Sequence, residues 1–514
     1  MQNGLIQPVK LVDRDTELNI NKDGSLNIQY QDSPGIDAFG RQRVAQPFGL
    51  FENKFLTGDN NTFWEYRVWG AIMVYNTLGG TASIVVGNTF TGGTSKRQGI
   101  IRSIIDGTSF TYDTSDGIIG SDNAFVVGET VTTSNGTTFI ITSSNTGATY
   151  SHNYDRSSMY LTTQTVTGQR VVAQTIRYFP YYSGHSQQAV MTGTLAPKVG
   201  TTQYIMYGDD LNGVGFRSID TTISILMRSS TTGSIVESDS KDQSQWNLDT
   251  MDGSGDKNNP SGISLDPTKS LIFWVDFQWL GVGRVRFGLD IDGKLYYVHE
   301  INHANLTSGV YMKTPSLPVR YEIINHGTPA SPTNLEQICS TVNSEGGYLL
   351  PGFEYSAPPI SVAAERTVTT TATPIFAIRL KNEFPTGEPN RKTLRFLDVK
   401  FSARTNEAWF ELAHVHNPTY TASWSSLNES SAVEYSTDIT AIDGIHIHPL
   451  QEDYIVIGVG VGGEAANISS EFISHHSFIS QNYESNNSQV FVVYAKSRTG
   501  SADVWSHISW IEFG

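Results

Sequence analysis

The chain has 514 residues, only 16% of them charged, and Asp plus Glu (50) outnumber Lys plus Arg (34) for a net charge of −16. That balance, with no basic stripe, excludes an ordinary nucleic-acid binder. The single cysteine, Cys339, excludes an intrachain disulfide framework. No run of about 18 apolar residues occurs, so no membrane-spanning helix is expected. The N-terminal MQNGLIQPVKLVDRD lacks a basic stretch followed by an apolar one, so no secretory signal is expected. Gly (47), Tyr (23) and Phe (24) are abundant. Strands favour aromatic and β-branched residues and turns favour Gly and Asn, so the composition predicts an all-β protein.

In chain order, residues 1–62 are polar and irregular and read as an extended N-terminal arm, with one hairpin around Asp23-Gly24. Arms of this kind are ordered either by a neighbouring subunit or by their own domain. Residues 63–83 and 150–335 read as a first β-sandwich. Residues 84–149 are rich in Gly, Thr, Ser and Asn, with turn signals every 8 to 12 residues, and read as a small inserted β-module with a small core. Residues 336–358 read as a connector carrying a short helix, NLEQICSTVNSEGGY, the best helical candidate in the chain. Residues 359–514 read as a second sandwich of 8-to-10-residue strands separated by Asn, Gly and Ser. The expected fold is therefore two jelly-roll or concanavalin-like sandwiches, a small inserted β-module and a short helical connector.

The most readable local element lies between Leu271 and Glu322. Val285, Phe287, Leu289 and Ile291 alternate with Arg284, Arg286 and Asp290, which places the two sets on opposite faces of a strand. Asp292-Gly293 supplies the residues a type I′ turn requires, and Leu295 to Ile301 returns as the partner strand. The polar face, with Arg284, Arg286 and His299, reads as an assembly surface or an ion-pair network.

Several stretches resemble a family of large virion structural proteins of tailed bacteriophages. They are IDAFGRQRVAQPFGLFENK, RVVAQTIRYFPYYSGHSQQAVMTG, QWNLDTMDGSG, SLIFWVDFQWLGVGRVRFGLDIDGKLYYVHEINHANL, YMKTPSLPVRYEI and QICSTVNSEGGY, with a looser match at ASW…SAVEYS and GSADVWSHISWIEF. The resemblance spans most of the chain outside residues 84–149. It implies a virion component of capsid, tail or baseplate, assembled in the host cytoplasm with other virion proteins; with no catalytic signature in the chain, no enzymatic activity is expected. A homotrimer is the expected assembly. Rival readings are a host-glycan-binding adhesin and a polysaccharide-degrading enzyme.

Candidate chemistry is sparse. No phosphate-cradling loop, GxSxG elbow, HExxH or paired CxxC occurs, and no catalytic residue is assigned. Asp276, Asp290 and Glu300 flank the hairpin, but they form no compact acid-pair motif, and pairing with Arg284 or Arg286 is the competing reading. Seven of the twelve histidines lie between His414 and His507. His414 and His416 form one HxH, and His446 and His448 another. Residues i and i+2 of a strand face the same way, so each pair could offer two imidazoles to one metal ion; hydrogen-bonded strand histidines are the plainer alternative, and no other cofactor is expected. Tyr181, Tyr182, Trp246 and Trp279 are aromatics that could stack on host-surface sugars, or else form core.

Overall fold

The computed structural model describes residues 37–38 and 48–513, except 57–62, 80–82, 95–97, 115–124, 126, 145–146, 346–351, 363, 417, 444–445, 456–464, 470–477 and 484. The hairpin expected at Asp23-Gly24 lies outside them. The protein is all-β: two β-sandwiches, each of two packed sheets, and a closed six-stranded barrel inserted in the first.

One sheet of the first sandwich runs Lys294–Ile301, Val285–Ile291, Leu271–Phe277, Ser186–Thr194, Thr333–Glu345, Ser158–Thr163, Thr149–Asn153, with Phe48–Lys54 also paired to Thr333–Glu345. The other runs Lys241–Asp242, Thr222–Arg228, Gly213–Ile219, Thr201–Gly208, Val319–Asn325, Arg170–Thr175, Trp64–Trp69. Alternate residues such as Phe273, Val275, Phe287, Leu289, Phe216, Ile225, Tyr321 and Ile323 point between the sheets and are fully buried. The expected hairpin is present: Val285–Ile291 pairs with Lys294–Ile301, and Asp292 and Gly293 have φ of 54° and 74°. Both are positive, as a type I′ turn demands.

Three elements differ from the sequence reading. The connector helix does not form: Thr333–Glu345 is a 13-residue strand near the middle of the first sandwich. Leu335, Ile338 and Val342 satisfy a helical spacing, but Ile338, Thr341 and Val342 are β-branched. Ser340, Val342 and Ser344 are buried in strand alternation. Tertiary pairing on both edges decides the matter, with Ser186–Thr194 on one side and Ser158–Thr163 and Phe48–Lys54 on the other. Second, the arm contributes a sandwich strand at Phe48–Lys54, because Phe51 packs on Phe63, Trp64 and Phe179. Third, Ala71–Gly79 belongs to the barrel. Gly70, at φ 71°, turns the chain out of Trp64–Trp69, and a Cβ there would sit 3.3 Å from Gln169.

The barrel closes in the order Ala71–Gly79, Ser109–Thr114, Gln98–Asp106, Thr89–Gly92, Thr130–Thr133, Thr138–Ser144. Its core is small but aromatic: Phe90 lies 5.5 Å from Phe110, 5.5 Å from Tyr112 and 5.1 Å from Phe125 between ring centroids. Closure leaves no long sheet edge, which suits a short, polar sequence.

In the second sandwich one sheet runs Phe353–Ala357, Ala502–Phe513, Thr393–Ala403, Ala465–Ser469. The facing sheet runs Ser425–Ser426, Val433–Ser436, Thr373–Leu380, Val490–Ser497, Ala408–His416, His446–Ile455. A two-stranded ribbon, Thr419–Thr421 with Ala441–Asp443, lies over part of the outer face.

Leu335 tests the strand assignment. Leu335→Ala should destabilise the first sandwich by about 2–5 kcal/mol, as for other buried leucines, and lower its melting temperature in calorimetry. A connector helix outside the core predicts a change near zero.

Candidate functional site

The hairpin's polar face is interior. Arg286 is fully buried on Val285–Ile291 and faces Asp276 directly across on Leu271–Phe277. Its Nε and Nη2 donate to the two carboxylate oxygens of Asp276, each at 2.8 Å. Tyr297 donates its hydroxyl to the same carboxylate, and its ring lies 4.2 Å from the guanidinium carbon. Two ions taken from water need such bidentate geometry to offset desolvation. Arg284 holds Glu300 at 3.2 Å and donates to the carbonyls of Ala38 at 3.3 Å and Asp37 at 3.5 Å. The Ala38 N–H in turn donates to Ser186 Oγ at 3.3 Å, so these two arm residues are docked on their own domain.

His299 is buried and accepts the Asn247 N–H on Nδ1 at 3.1 Å. Burial, then the nearby Lys241 charge, lowers its pKa to about 4. It fixes the loop carrying Trp246, which is itself buried against Phe216 and donates to the Lys241 carbonyl at 3.2 Å. Tyr182 is buried too. Tyr181 stacks on Phe277, donates to the His185 carbonyl at 2.9 Å and accepts the Trp279 N–H at 3.0 Å. Trp279 is half-buried and donates to the Met312 carbonyl at 2.9 Å. The expectation that Arg284, Arg286, His299, Tyr181, Tyr182 and Trp246 form an exposed contact surface is therefore corrected. Alternation assigned their face, but other parts of the same chain cover it.

The three carboxylates weighed as acids have structural partners. Asp276 is held by Arg286 and Tyr297, Glu300 by Arg284, and Asp290 accepts the Gly293 N–H of the turn at 3.1 Å.

The two HxH motifs meet on neighbouring strands. In the register of Ala408–His416 with His446–Ile455, His414 lies opposite His448 and His416 opposite His446. The side chains of His446 and His448 lie outside the described residues. His414 and His416 are buried, with ring centroids 4.4 Å apart, and His414 packs 5.1 Å from Phe491. They line a cavity of about 30 Å³ at the seam between the sandwiches, with Phe51, Phe63, Arg177 and Phe478 on its other walls. Gln489 oriented by the Ser480 N–H on its Oε1 donates its amide to His416 Nδ1 at 2.7 Å. In the neutral ring the hydrogen then sits on Nε2, opposite to the Nδ1–H donation that usually orients a metal-bound imidazole. Arg177 adds a positive charge to the cavity, its guanidinium 3.7 Å from the Phe478 ring centre. Among the described residues no group of three or more His, Cys, Asp or Glu side chains could hold a metal ion.

A polar seam that the sequence reading missed joins the sandwiches. Tyr483, from the second, donates its hydroxyl to Asp210 and its N–H to Glu65 Oε2 at 2.9 Å. Asp210 also accepts Arg170 at 2.7 Å and Arg320 at 2.6 Å, and Glu322 accepts Arg170 at 2.6 Å. Burial opposes ionisation of Asp210, but Arg320 and Arg170 prevail and hold its carboxyl far below the usual range. Thr393 Oγ1 donates to the Tyr178 carbonyl at 2.9 Å nearby. Also missed were Trp409 and Glu411, which alternate with Phe410 and Leu412 and so face outward. A period-two reading of EAWFELA finds them.

No family model and no curated protein matches the chain. Among solved structures it is similar to a Bacillus licheniformis β-glucanase, at 10% identity over 53% of this chain and 97% of that one, with a TM-score of 0.25. A glycosyl hydrolase family protein from Mycobacterium fortuitum gives 11% identity, 57% and 99% coverage and a TM-score of 0.27. A legume lectin-like domain from Entamoeba histolytica gives 8%, 38%, 89% and 0.21. Likeness at these scores transfers neither a site nor an activity to this chain. No helix among the described residues is long and apolar enough to cross a membrane.

Two outcomes follow from the buried groups. Arg286→Met strands the Asp276 carboxylate and should cost about 3–5 kcal/mol in urea denaturation, whereas the double variant Arg286→Met/Asp276→Leu should recover most of that loss. For His299 the folded pKa of about 4 lies below the unfolded value of about 6.5, so the unfolded chain binds the extra proton between them. Its stabilisation is complete above about pH 6.5 and is lost as pH falls toward 4. His299→Gln should flatten the melting-temperature profile over that window, leaving the smaller same-sign contributions of His303 and His507, both lowered by burial.

Proposed function

We propose that this chain is a structural component of a tailed-bacteriophage particle that works through assembly interfaces and performs no bond cleavage. The observation that carries the reading is the use of its charged groups. In the stretches that resemble virion proteins, Asp276, Arg284, Arg286 and Glu300 all lock strands, loops and the arm together. The seam at Tyr483 likewise ties the second sandwich to the first through Asp210 and Glu65. Such a layout supports mechanical integrity and leaves recognition to other surfaces. The acidic net charge of −16 favours solubility before assembly. A homotrimer on head or tail, reached in the host cytoplasm, completes the proposal.

Antibody labelling and high-resolution imaging of purified particles of the encoding phage should place the protein on the particle in a fixed copy number. Particles made without it should be defective in assembly or attachment. Absence from purified particles, or turnover of a polysaccharide by the purified chain, overturns the reading. Native mass measurement should give three times the 56.5 kDa chain mass, and a monomer both free and on the particle removes the trimer.

A further inference from the structure

We propose that the outer face of the second sandwich carries a binding platform for a neutral oligosaccharide, built on Trp409 with Glu411, Tyr494 and Lys496. Trp409 and Glu411 project from Ala408–His416, and the register sets Lys496 opposite Trp409 and Tyr494 opposite Glu411 on Val490–Ser497. Trp409 is 42% exposed, unusual for the largest side chain in a strand packed on both edges. These four residues, with Ala372, Phe410 and Ala495, line a pocket of about 90 Å³.

The surroundings say what fits. Part of this outer face is closed by the ribbon of Thr419–Thr421 and Ala441–Asp443, whose Tyr420 and Ile442 pack with Trp424 and Tyr494 over Ala413, Val415, Val490 and Val492. Among the described residues the cover stops at Tyr494, and Trp409 keeps its exposed face bordered by Glu411, Lys496 and Tyr494, with Tyr454 and Glu452 next to it in register on His446–Ile455. Burial, then the Glu411 and Asp443 charges, pushes the Tyr494 hydroxyl up to about 12, so it stays protonated at neutral pH. An apolar partner seated on Trp409 would strip water from Glu411 and Lys496 and return no hydrogen bonds. A pyranose ring has one C–H face to lie on the indole and a rim of hydroxyls that can donate to Glu411 and accept from Lys496 and Tyr494. Among the described side chains two carboxylates, Glu411 and Asp443, stand beside one ammonium, and Glu452 lies opposite Glu411 in register, a balance that disfavours an anionic sugar.

The inference stands apart from the assembly role, because sugar binding and particle incorporation are read by different experiments. The full chain should retain at least one neutral oligosaccharide on an array of neutral and acidic glycans. In calorimetric titration of that glycan, Trp409→Ala should weaken binding about tenfold or more, a loss of one aromatic platform. Lys496→Met should weaken it several-fold, with the melting temperature unchanged because Lys496 is exposed, and this keeps the test valid if Trp409→Ala folds poorly. The proposal fails if no glycan is retained, if acidic glycans alone are retained, or if both variants bind as the parent does. It also fails if Trp409→Ala abolishes self-association and leaves sugar binding intact, which makes the face an interface between copies.

Discussion

The architecture depends on the burial of three arginines. Arg67, Arg286 and Arg320 are among the largest fully buried side chains in the protein. A guanidinium cannot shed its charge at any working pH, so each must find carboxylate or carbonyl oxygens in fixed positions. Arg286 has Asp276, Arg320 has Asp210, Glu322 and Gln174, and Arg67 pairs with Glu65. All three sit on strand positions that would face solvent in an isolated sandwich. At Arg67 and Arg320 the cover is the second sandwich: the Tyr483 ring lies 6.0 and 5.2 Å from their guanidinium carbons. Tyr297 lies over Arg286, and beside it Arg284 binds the arm carbonyls of Asp37 and Ala38. Breaking such a pair costs far more than it contributes over a hydrophobic replacement, so these networks fix geometry more than they add stability.

That constraint separates what was legible in the sequence from what was not. The hairpin was legible because every signal is local: alternation from Val285 to Ile291, and a turn dipeptide whose positive φ values are visible in its residue types. Turn spacing marked short strands in 84–149, but the barrel they join also needs Ala71–Gly79, which lies outside those bounds. The fate of Arg286 was not legible, because alternation assigns a side chain to a face without saying what covers that face. Glu65, Asp210 and Tyr483 lie hundreds of residues apart in places, and nothing local ties them together. The strand at Thr333–Glu345 was misread for the same reason. Its weak helical spacing is overridden by partners 142 to 296 positions away, from Thr194 against Glu336 to Phe48 against Ser344.

The candidate sites moved in a consistent direction. Aromatics chosen for their bulk and sequence neighbourhood, Trp246 and Tyr182, turned out to be core, as large aromatics usually are. The histidine pairs gained a shared register, yet the two rings that are described lie at a seam beside Arg177. Residues that do reach solvent with mixed chemistry lie on a strand whose inner face is unremarkable in composition. Among the described residues the ribbon at Thr419–Thr421 covers only part of that outer face, and Trp409 stays exposed beside it.

A shallow platform of one indole and a few polar groups gives weak affinity by itself, since most of the sugar stays in water and ring ordering opposes binding. In the proposed assembly, repetition would offset that weakness. Copies held rigidly on one assembly present their platforms at fixed separations, and each bound site raises the effective concentration of the next. Rigidity matters here because a mobile second sandwich would dilute that concentration over a larger volume. The seam at Tyr483, Asp210 and Glu65 supplies it, bonding the sandwich that carries Trp409 to the one that carries the arm. Buried arginines and an exposed tryptophan are thus connected mechanically: the first hold the orientation of the second, which the proposed assembly would repeat.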